Sequence, residues 1–287
     1  MKILVTGANG QLGRELKTVI EGIKPGITVY TDVDTLDLTD PKTVESFITN
    51  GDFTHVVNCA AFTAVDKAET EQALCLKVNR DAVKNIATVA TNLGIKVLHI
   101  STDYVFDGKS YRPYRESDKV NPVSAYGTSK RKGEMVLLSM CPDAVIVRTA
   151  WLYSPHGSNF VKTMLRLGRE RKELNVVFDQ IGTPTYAYDL AEAVAKIIFA
   201  RQWMPGIYHF TDEGACSWYD FTKAIHRIAG IEGCAVNPIL TDDYPTLATR
   251  PHYSVLDKTL IKKTYGIKIP HWEESLQKCL LRMQDNA

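Results

Sequence analysis

The sequence predicts an α/β fold built on a doubly wound parallel sheet, with a smaller domain towards the C-terminus. Short runs rich in β-branched apolar residues alternate with longer helix-like stretches. Most of these runs are continuously apolar, as strands buried on both faces of a parallel sheet are. The runs are Lys2–Thr6, Ile27–Thr31, His55–Cys59, Lys96–Ser101 and Ala144–Thr149. Repeated strand–helix–strand units with short links predict helices on both faces of the sheet.

Helix signals separate the apolar runs. The helical stretches between them are Gln11–Glu21, Pro41–Asn50 and Gln72–Leu93. Thr39 and Asp40 before Pro41 are typical of a helix start, because a polar side chain caps the first turn and proline fits there without its N–H. Gly94 is suited to end the third helix before the fourth strand.

After about residue 150 the pattern changes. Helical stretches are separated by loops that contain proline and glycine, and one more strand is indicated at Gly206–Phe210. These stretches are Asn159–Arg171, Tyr188–Arg201 and Trp218–Ala229. The tail from Cys234 to Ala287 is expected to consist of loops and a final helix. We therefore expect one domain over residues 1–150, with about 176–213 returning to it, and a second mainly over 151–287 that packs over the carboxyl edge of the sheet.

The composition restricts the class of partner. The 287 residues carry 34 basic and 33 acidic side chains without a run of like charges, so neither nucleic acid nor a membrane is an expected partner. The six cysteines form no CxxC pair and the seven histidines show no zinc-binding spacing, so no metal site is expected. The first apolar run is too short for a signal peptide and no stretch approaches a membrane span, which predicts a cytoplasmic protein.

A glycine-rich turn directly after the first strand indicates a nucleotide site. Its spacing is GxxGxxG, and a helix follows at once. Glycines allow the tight turn and the close approach of a pyrophosphate, whose charge the helix N-terminus stabilises. This predicts a Rossmann domain that binds NADPH or NADH. The expected contacts in the turn are Gly7, Gly10, Gln11, Leu12 and Gly13.

Further cofactor contacts are predicted after the second and third strands. Asp32 is placed to hydrogen-bond the adenosine ribose. Asp37 can accept from the adenine amino group while Leu38 packs on the ring. Small residues follow the third strand, where open α/β sheets bind ligands, and they are Ala60, Ala61 and Thr63. An acid at Asp32 favours NADH, because it repels a 2′-phosphate, but sequence cannot locate basic residues that offset it, so both cofactors stay open.

A catalytic group is predicted after the fourth strand. Tyr126 and Lys130 are one helical turn apart and therefore share a helix face. The tyrosine pKa is ordinarily about 10, and a nearby ammonium would stabilise its anion for acid–base work. Thr102, at the end of the fourth strand, can hold a substrate oxygen beside the tyrosine hydroxyl. Ser124 is another hydroxyl nearby, but a serine just before a helix more often caps it.

The glycine loop together with the Tyr126 and Lys130 pair resembles the extended short-chain dehydrogenases. Within that superfamily the chain is most similar to the dTDP-4-dehydrorhamnose reductases, and the likeness runs through most of its length. The segments that carry it are Ala60–Glu69, Ser101–Gly108, Tyr126–Lys130, Arg148–Trp151, Asn159–Met164, Gly182–Thr185 and Arg250–Pro251.

The resemblance implies hydride transfer from NADPH or NADH to the C4 ketone of dTDP-4-dehydro-L-rhamnose, the last step of dTDP-L-rhamnose synthesis. Tyr126 would then be the proton donor, and Lys130 would bind the nicotinamide ribose and lower the tyrosine pKa. Thr102 would hold the reacting oxygen and Asp103 would contact the sugar or orient the site. Two further substrate contacts are implied: Trp151, as an apolar wall for the deoxysugar, and Arg250, for the diphosphate.

One departure from this family concerns metal and assembly. Some of its members form a dimer bridged by magnesium on glutamates. This chain keeps Glu15, but Tyr188 and Arg282 stand where the other acids would be. Because an arginine repels a cation, we expect no bridging metal, and a monomer or weak homodimer.

The sequence argues against one related function and leaves others open. A 4,6-dehydratase resembles this chain but follows the threonine with Asp-Glu, whereas Tyr104 follows Asp103 here. A 4-epimerase, or another nucleotide-sugar reductase, needs the same tyrosine and lysine. A non-catalytic protein similar to the regulatory subunit of methionine adenosyltransferase is the alternative of a different class, against which Thr102, Tyr126 and Lys130 are intact.

Overall fold

The computed structural model describes residues 1–285 and has a six-stranded parallel sheet at its centre. The strands in chain order are β1 (Ile3–Thr6), β2 (Thr28–Thr31), β3 (His55–Asn58), β4 (Lys96–Thr102), β5 (Val145–Thr149), β6 (Leu152–Tyr153), β7 (Glu173–Val177), β8 (Ile181–Gly182), β9 (Thr185–Tyr186), β10 (Gly206–His209), β11 (Cys216–Ser217) and β12 (Ala235–Ile239). The sheet order is β10-β5-β4-β3-β1-β2. The predicted doubly wound parallel sheet is confirmed.

Helices cover both faces of this sheet. The helices in chain order are α1 (Gln11–Ile23), α2 (Pro41–Thr49), α3 (Val65–Thr70), α4 (Gln72–Leu76), α5 (Ala82–Leu93), α6 (Ala125–Met140), α7 (Phe160–Glu170), α8 (Ala187–Ile198), α9 (Trp218–Ile228), α10 (Thr259–Tyr265) and α11 (Trp272–Asp285). One core cluster joins α1 and α8 to the sheet, and a second joins α2, α5 and α6 to its other face. Burial on both faces explains why the strands are continuously apolar.

Local sequence signals predicted two helix ends correctly. Asp40 caps α2 through Lys42 N–H, and Pro41 is its first residue. Gly94 ends α5 in the left-handed conformation. The single helix expected over Gln72–Leu93 is wrong in detail, because a π-helical turn over Lys77–Asp81 separates α4 from α5. Single π-helical turns inside α-helices are rare, so a helical apolar pattern predicts one continuous helix here.

The C-terminal half contains more strands than expected. Strand β7 pairs in parallel with β12, although the tail after Cys234 had been expected to hold only loops and a final helix. Pro238 lies in β12, and a proline inside a short apolar run hides a strand from pattern analysis. This two-stranded pair packs with α7, α9 and α11 in a separate core cluster.

Chain segments from both halves meet at the sheet. Residues 187–210 pack against the first core cluster, and β10 completes the edge of the sheet beside β5. Val176 and Val177, by contrast, belong to β7, away from the sheet. The expected domain limits stay a prediction. Among the described residues, no helix combines the length and apolar character that crossing a bilayer requires.

Candidate active site

The glycine turn packs closely against the segment that follows β3. Gly7 has a φ of +67°, and a Cβ there would lie 2.6 Å from the Ala60 nitrogen. A Cβ on Gly13 would lie 2.4 Å from the Gly7 oxygen. The N-cap of α1 is Gly10, and the first turn of that helix holds no acidic residue. The helix N-terminus therefore keeps N–H groups and positive dipole for an anion.

Asp32 is tied to the glycine turn. Its Oδ2 accepts from Asn9 N–H at 2.8 Å, and its Oδ1 accepts from Val33 N–H at 2.8 Å. Both carboxylate oxygens thus have a backbone partner, while the residue stays partly exposed just after β2. The carboxylate shapes the turn and lies at the carboxyl end of the sheet, where the ribose was expected.

Other predicted cofactor residues lie around the same edge. Asp37 is exposed and accepts from Thr39, which lowers the pKa of its carboxyl. Leu38 is buried in the core cluster beside α2 and α5, and Leu12 is buried on the inner face of α1 in the first core cluster. The structure therefore uses both leucines in the core, where their side chains pack against protein.

Gln11 joins the two halves of the chain. Its Oε1 accepts from Ser154 Oγ at 3.2 Å and from Asn159 Nδ2 at 2.9 Å. Its Nε2 lies 3.5 Å from the Leu152 oxygen. The glutamine side chain thus fixes the segment between β6 and α7 over the glycine turn.

The segment after β3 is held by a buried asparagine that sequence analysis did not single out. Ala60 and Ala61 are half-buried and Thr63 is exposed. Asn79, in the π-helical turn, accepts from Phe62 N–H at 2.8 Å and donates to the Phe62 oxygen at 3.0 Å. The unexpected π-helical turn thus aims Asn79 at the loop.

Two residues cap the helix that carries the tyrosine. Ser124 accepts from Gly127 N–H at 3.1 Å, which confirms its expected role as a cap. Glu69 accepts from Ala125 N–H at 2.8 Å, a role that sequence analysis missed. The start of α6, and with it Tyr126, is therefore fixed relative to α3.

Tyr126 lies beside Thr102 and Asp103. Its hydroxyl is hydrogen-bonded to the Thr102 side chain, but burial raises the pKa of the phenol above its ordinary value. Thr102 donates to Asp103 Oδ1 at 2.9 Å. Burial also raises the pKa of Asp103 to about 6, with the Thr102 hydrogen bond opposing the rise. Asp103 Oδ2 is buried without a hydrogen-bond partner among the described residues. The site thus presents a neutral phenol and a partly satisfied carboxyl.

Lys130 lies on α6 but its amine is directed at β4. Nζ donates to the Ile100 oxygen at 2.6 Å and lies 3.3 Å from His99 Nε2. Burial lowers the pKa of the amine to about 8. The tyrosine and lysine do share one helix, as predicted, whereas the lysine's hydrogen bonds in this structure go to the neighbouring strand.

The two predicted substrate contacts, Trp151 and Arg250, are both partly buried. Trp151 adopts a φ of +48° and stacks on Trp218 with ring centroids 3.4 Å apart. Arg250 donates from both terminal nitrogens to the two Asp66 oxygens, at 3.0 and 2.8 Å. Trp151 thus forms a stacked pair with a second indole, and the Arg250 guanidinium is bound to the α3 residue Asp66. The roles of Trp151 and Arg250 in binding substrate stay predictions.

Glu15 has a cationic partner within the chain. Arg282 Nη2 lies 3.0 Å from its Oε2, and Arg282 also donates to the Tyr186 hydroxyl. His156 Nε2 lies 3.8 Å from Glu15 Oε1. The guanidinium therefore occupies the carboxylate edge at which a metal ion would have to bind. The absence of a bridging metal stays a prediction.

Comparison with known proteins identifies the family. The model of the RmlD substrate binding domain matches residues 1–285. A dTDP-4-dehydrorhamnose reductase of Aggregatibacter actinomycetemcomitans is 42% identical over 285 residues, which cover 96% of this chain and 97% of the relative. The chain belongs to the dTDP-4-dehydrorhamnose reductase family. A relative from Bacillus subtilis, the spore coat polysaccharide biosynthesis protein SpsK, is 43% identical and covers 97% of this chain and 96% of its own.

Solved structures of this reductase family share the whole architecture. A dTDP-4-dehydrorhamnose reductase of Clostridium acetobutylicum superposes with a TM-score of 0.95 at 46% identity, covering 99% of this chain and 100% of its own. One from Bacillus anthracis, in complex with NADP, gives 0.94 at 37% identity and covers 98% and 100%. A UDP-glucose 4-epimerase of Thermus thermophilus gives 0.86 at 20% identity, which shows a shared fold only.

Proposed function

We propose that this chain reduces the C4 ketone of dTDP-4-dehydro-L-rhamnose to dTDP-L-rhamnose with a reduced nicotinamide cofactor. The observation that carries the proposal is full-length membership of the reductase family, together with Thr102 at the end of β4 and Tyr126 and Lys130 on the neighbouring helix α6. The Bacillus anthracis relative was solved with NADP, which supports NADPH as the reductant, with NADH as the other candidate.

The protein groups suit proton donation to a ketone. Reduction of a carbonyl needs one hydride at carbon and one proton at oxygen. Because burial keeps the Tyr126 phenol protonated, it can donate that proton. Thr102 lies against the same hydroxyl and would hold the carbonyl oxygen beside it, while Asp103 would face the sugar. Tyr104 follows Asp103 where a dehydratase needs a base, and its pKa is raised by burial, which argues against dehydration.

The residues present fit a dinucleotide. Gly7 and Gly13 leave no room for a side chain in the turn, and α1 begins without an acidic residue. The turn from Gly7 to Gly13 would hold the pyrophosphate, and the adenosine would lie near Asp32, Asp37 and Leu38. Ala60, Ala61, Thr63 and Lys130 would border the nicotinamide end. When bound, the reduced cofactor supplies the hydride.

The remaining assignments follow from the same family. Trp151 would face the deoxysugar and Arg250 the diphosphate, with residues 151–287 supplying most of the substrate domain. We also propose a cytoplasmic protein that is a monomer or weak homodimer, without nucleic acid, a membrane or a bridging metal as partner. Sedimentation velocity with magnesium or with a chelator checks the assembly, and a metal-dependent dimer would contradict it.

A second sugar has a specific observation in its favour. A relative from Streptomyces niveus, 39% identical over 95% of this chain, is a dTDP-4-keto-6-deoxy-D-glucose reductase. The two kinds of reductase differ in the sugar of the substrate but share a ketone at C4. Both ketosugars are therefore included in the test.

Cofactor oxidation tests the proposal directly. We expect the protein to oxidise NADPH or NADH in the presence of dTDP-4-dehydro-L-rhamnose, with the two rates deciding the cofactor. Tyr126→Phe should lower kcat by about 10²–10⁴-fold, because it removes the proton donor but keeps the ring. Absence of turnover with either ketosugar would contradict the reductase function. Tight retention of NAD with interconversion of C4 epimers would favour an epimerase. Absence of both the reductase and the epimerase activity would favour the non-catalytic regulatory homologue.

A further inference from the structure

A chain of buried polar side chains leads from β1 to the amine of Lys130. Thr6 Oγ1 donates to Asn58 Oδ1 at 2.8 Å, and Asn58 Nδ2 lies 3.1 Å from His99 Nδ1. His99 Nε2 then lies 3.3 Å from Lys130 Nζ. All four residues are at most 2% exposed. Polar groups buried this deeply need partners, so each contact constrains the next one.

A backbone N–H fixes the orientation of the Asn58 amide. Ala60 N–H lies 3.1 Å from Asn58 Oδ1, and a backbone N–H is only ever a donor. Turning the amide over would place its NH₂ group against this donor. The oxygen therefore faces Ala60 and Thr6, and the NH₂ group faces His99.

The asparagine in turn selects the histidine tautomer. A neutral imidazole has one donor and one acceptor nitrogen. Because Asn58 donates to Nδ1, that nitrogen carries the lone pair and the proton is on Nε2. Burial and Lys130 hold the pKa of His99 well below its ordinary value, so the ring stays neutral. The N–H of Nε2 consequently points at the lysine.

The lysine amine meets this N–H on one side. Nζ already donates to the Ile100 oxygen at 2.6 Å. A charged ammonium has no lone pair and would oppose the histidine N–H, whereas a neutral amine accepts from it. The other groups that act on Nζ are Glu134 on α6, Cys59 after β3 and Cys75 on α4, and each favours the charged form more weakly than burial disfavours it.

We propose that Asn58 and His99 are positioning residues that hold an imidazole N–H against Lys130 and thereby favour the neutral amine. This rests on the proposed role of Lys130 in the reductase. Burial already lowers the pKa of Lys130 to about 8. The support that the lysine charge gives Tyr126 should therefore change with pH around that value. Sequence analysis treated His99 as part of a buried strand and found no role for it.

The histidine tautomer can be measured without any variant. Imidazole ¹H–¹⁵N correlation spectra of the whole protein between pH 6 and 9 should show His99 protonated at Nε2 throughout, with its signals assigned by their loss in His99→Gln. Protonation at Nδ1, or a charged imidazole, would overturn the proposal. This measurement needs neither cofactor nor substrate.

The lysine is tested by the same variant. A glutamine at position 99 stays neutral and can turn its oxygen towards an ammonium, so the ¹³Cε titration midpoint of Lys130 should rise by about one pH unit. His226→Gln is the matched control, because His226 is buried and bonds the Met164 oxygen far from the lysine, and it should leave the midpoint unchanged. An unchanged midpoint in a folded His99→Gln protein would overturn the proposal.

Activity gives an independent readout. In His99→Gln the pH profile of kcat should shift upward with the lysine midpoint, whereas a merely structural role would lower kcat at every pH. If His99 is protonated at Nε2 but the protein reduces no ketosugar, the proposed function is contradicted and the positioning role of Asn58 and His99 still holds. If His99 is protonated at Nδ1 in an active reductase, the positioning role is contradicted and the proposed function still holds.

Discussion

Two buried carboxyl groups, Glu134 and Asp189, differ in their hydrogen-bond and charge partners. Glu134 accepts from Arg148 at 2.8 Å and from Ser101 at 2.6 Å, and its pKa is lowered despite burial. Asp189, on α8, accepts from Ser275 at 2.5 Å, and burial raises its pKa to about 6. Glu134 has the Arg148 guanidinium in contact, whereas within residues 1–285 no ion pair to an arginine is seen for Asp189. Of these two carboxyls, only Asp189 therefore opposes folding when it ionises.

Asp189 should therefore make stability fall as pH rises. Its folded pKa lies above the unfolded value of about 4, so its favourable contribution is complete below pH 4 and is lost by about pH 6. Asp189→Asn should leave the free energy of unfolding unchanged near pH 4 and raise it by up to roughly 3 kcal/mol above pH 6. Chemical denaturation across this range checks it. Asp34→Asn is the control, because Asp34 is exposed. If the difference in unfolding free energy between Asp189→Asn and the unchanged protein did not vary with pH, the argument would be contradicted.

At the scale of elements, the first turn could be predicted because its chemistry is local. The glycine spacing, the strand before it and the helix after it are all contiguous in sequence, and the structure assembles them as expected. Asn79 and Glu69 could not be found in this way. Their partners, Phe62 and Ala125, are distant in sequence and become neighbours only through the π-helical turn and the packing of α3 against α6.

The glycine turn should lose its ligand when a side chain is added. Gly13→Ala would place a Cβ 2.4 Å from the Gly7 oxygen and 2.5 Å from Ala8 Cα, which forces the turn apart. We expect NADPH affinity to fall by at least about tenfold, measured by fluorescence titration. Gly22→Ala is the control in the same helix, since nothing lies within 4 Å of its added Cβ. It should keep the affinity and stabilise the fold by roughly 0.5–1 kcal/mol. Equal affinities in the two variants would contradict this account of the turn.

At the scale of the whole molecule, an ion pair joins the first helix, α1, to the last helix, α11. Glu15 lies in α1 with no exposed surface, and Arg282 lies near the end of α11, about a third exposed. The pair links the nucleotide half to the helix that packs with α9 in the other core cluster. Sequence analysis identified both positions through a family comparison, but their pairing depends on the tertiary fold and could not be predicted from spacing.

Removing the guanidinium should destabilise the whole fold. Arg282→Ala leaves the buried Glu15 carboxylate without its bidentate donor, and unpaired buried groups are costly. We expect a loss of about 2 kcal/mol in the free energy of unfolding, measured by denaturant titration at pH 7. Arg227→Ala is the matched control, because Arg227 and its partner Glu273 are both well exposed, and it should cost less than about 1 kcal/mol. If the two variants were equally stable, the Glu15 carboxylate would have to be satisfied by other groups, and the pair would not join the two ends of the chain energetically.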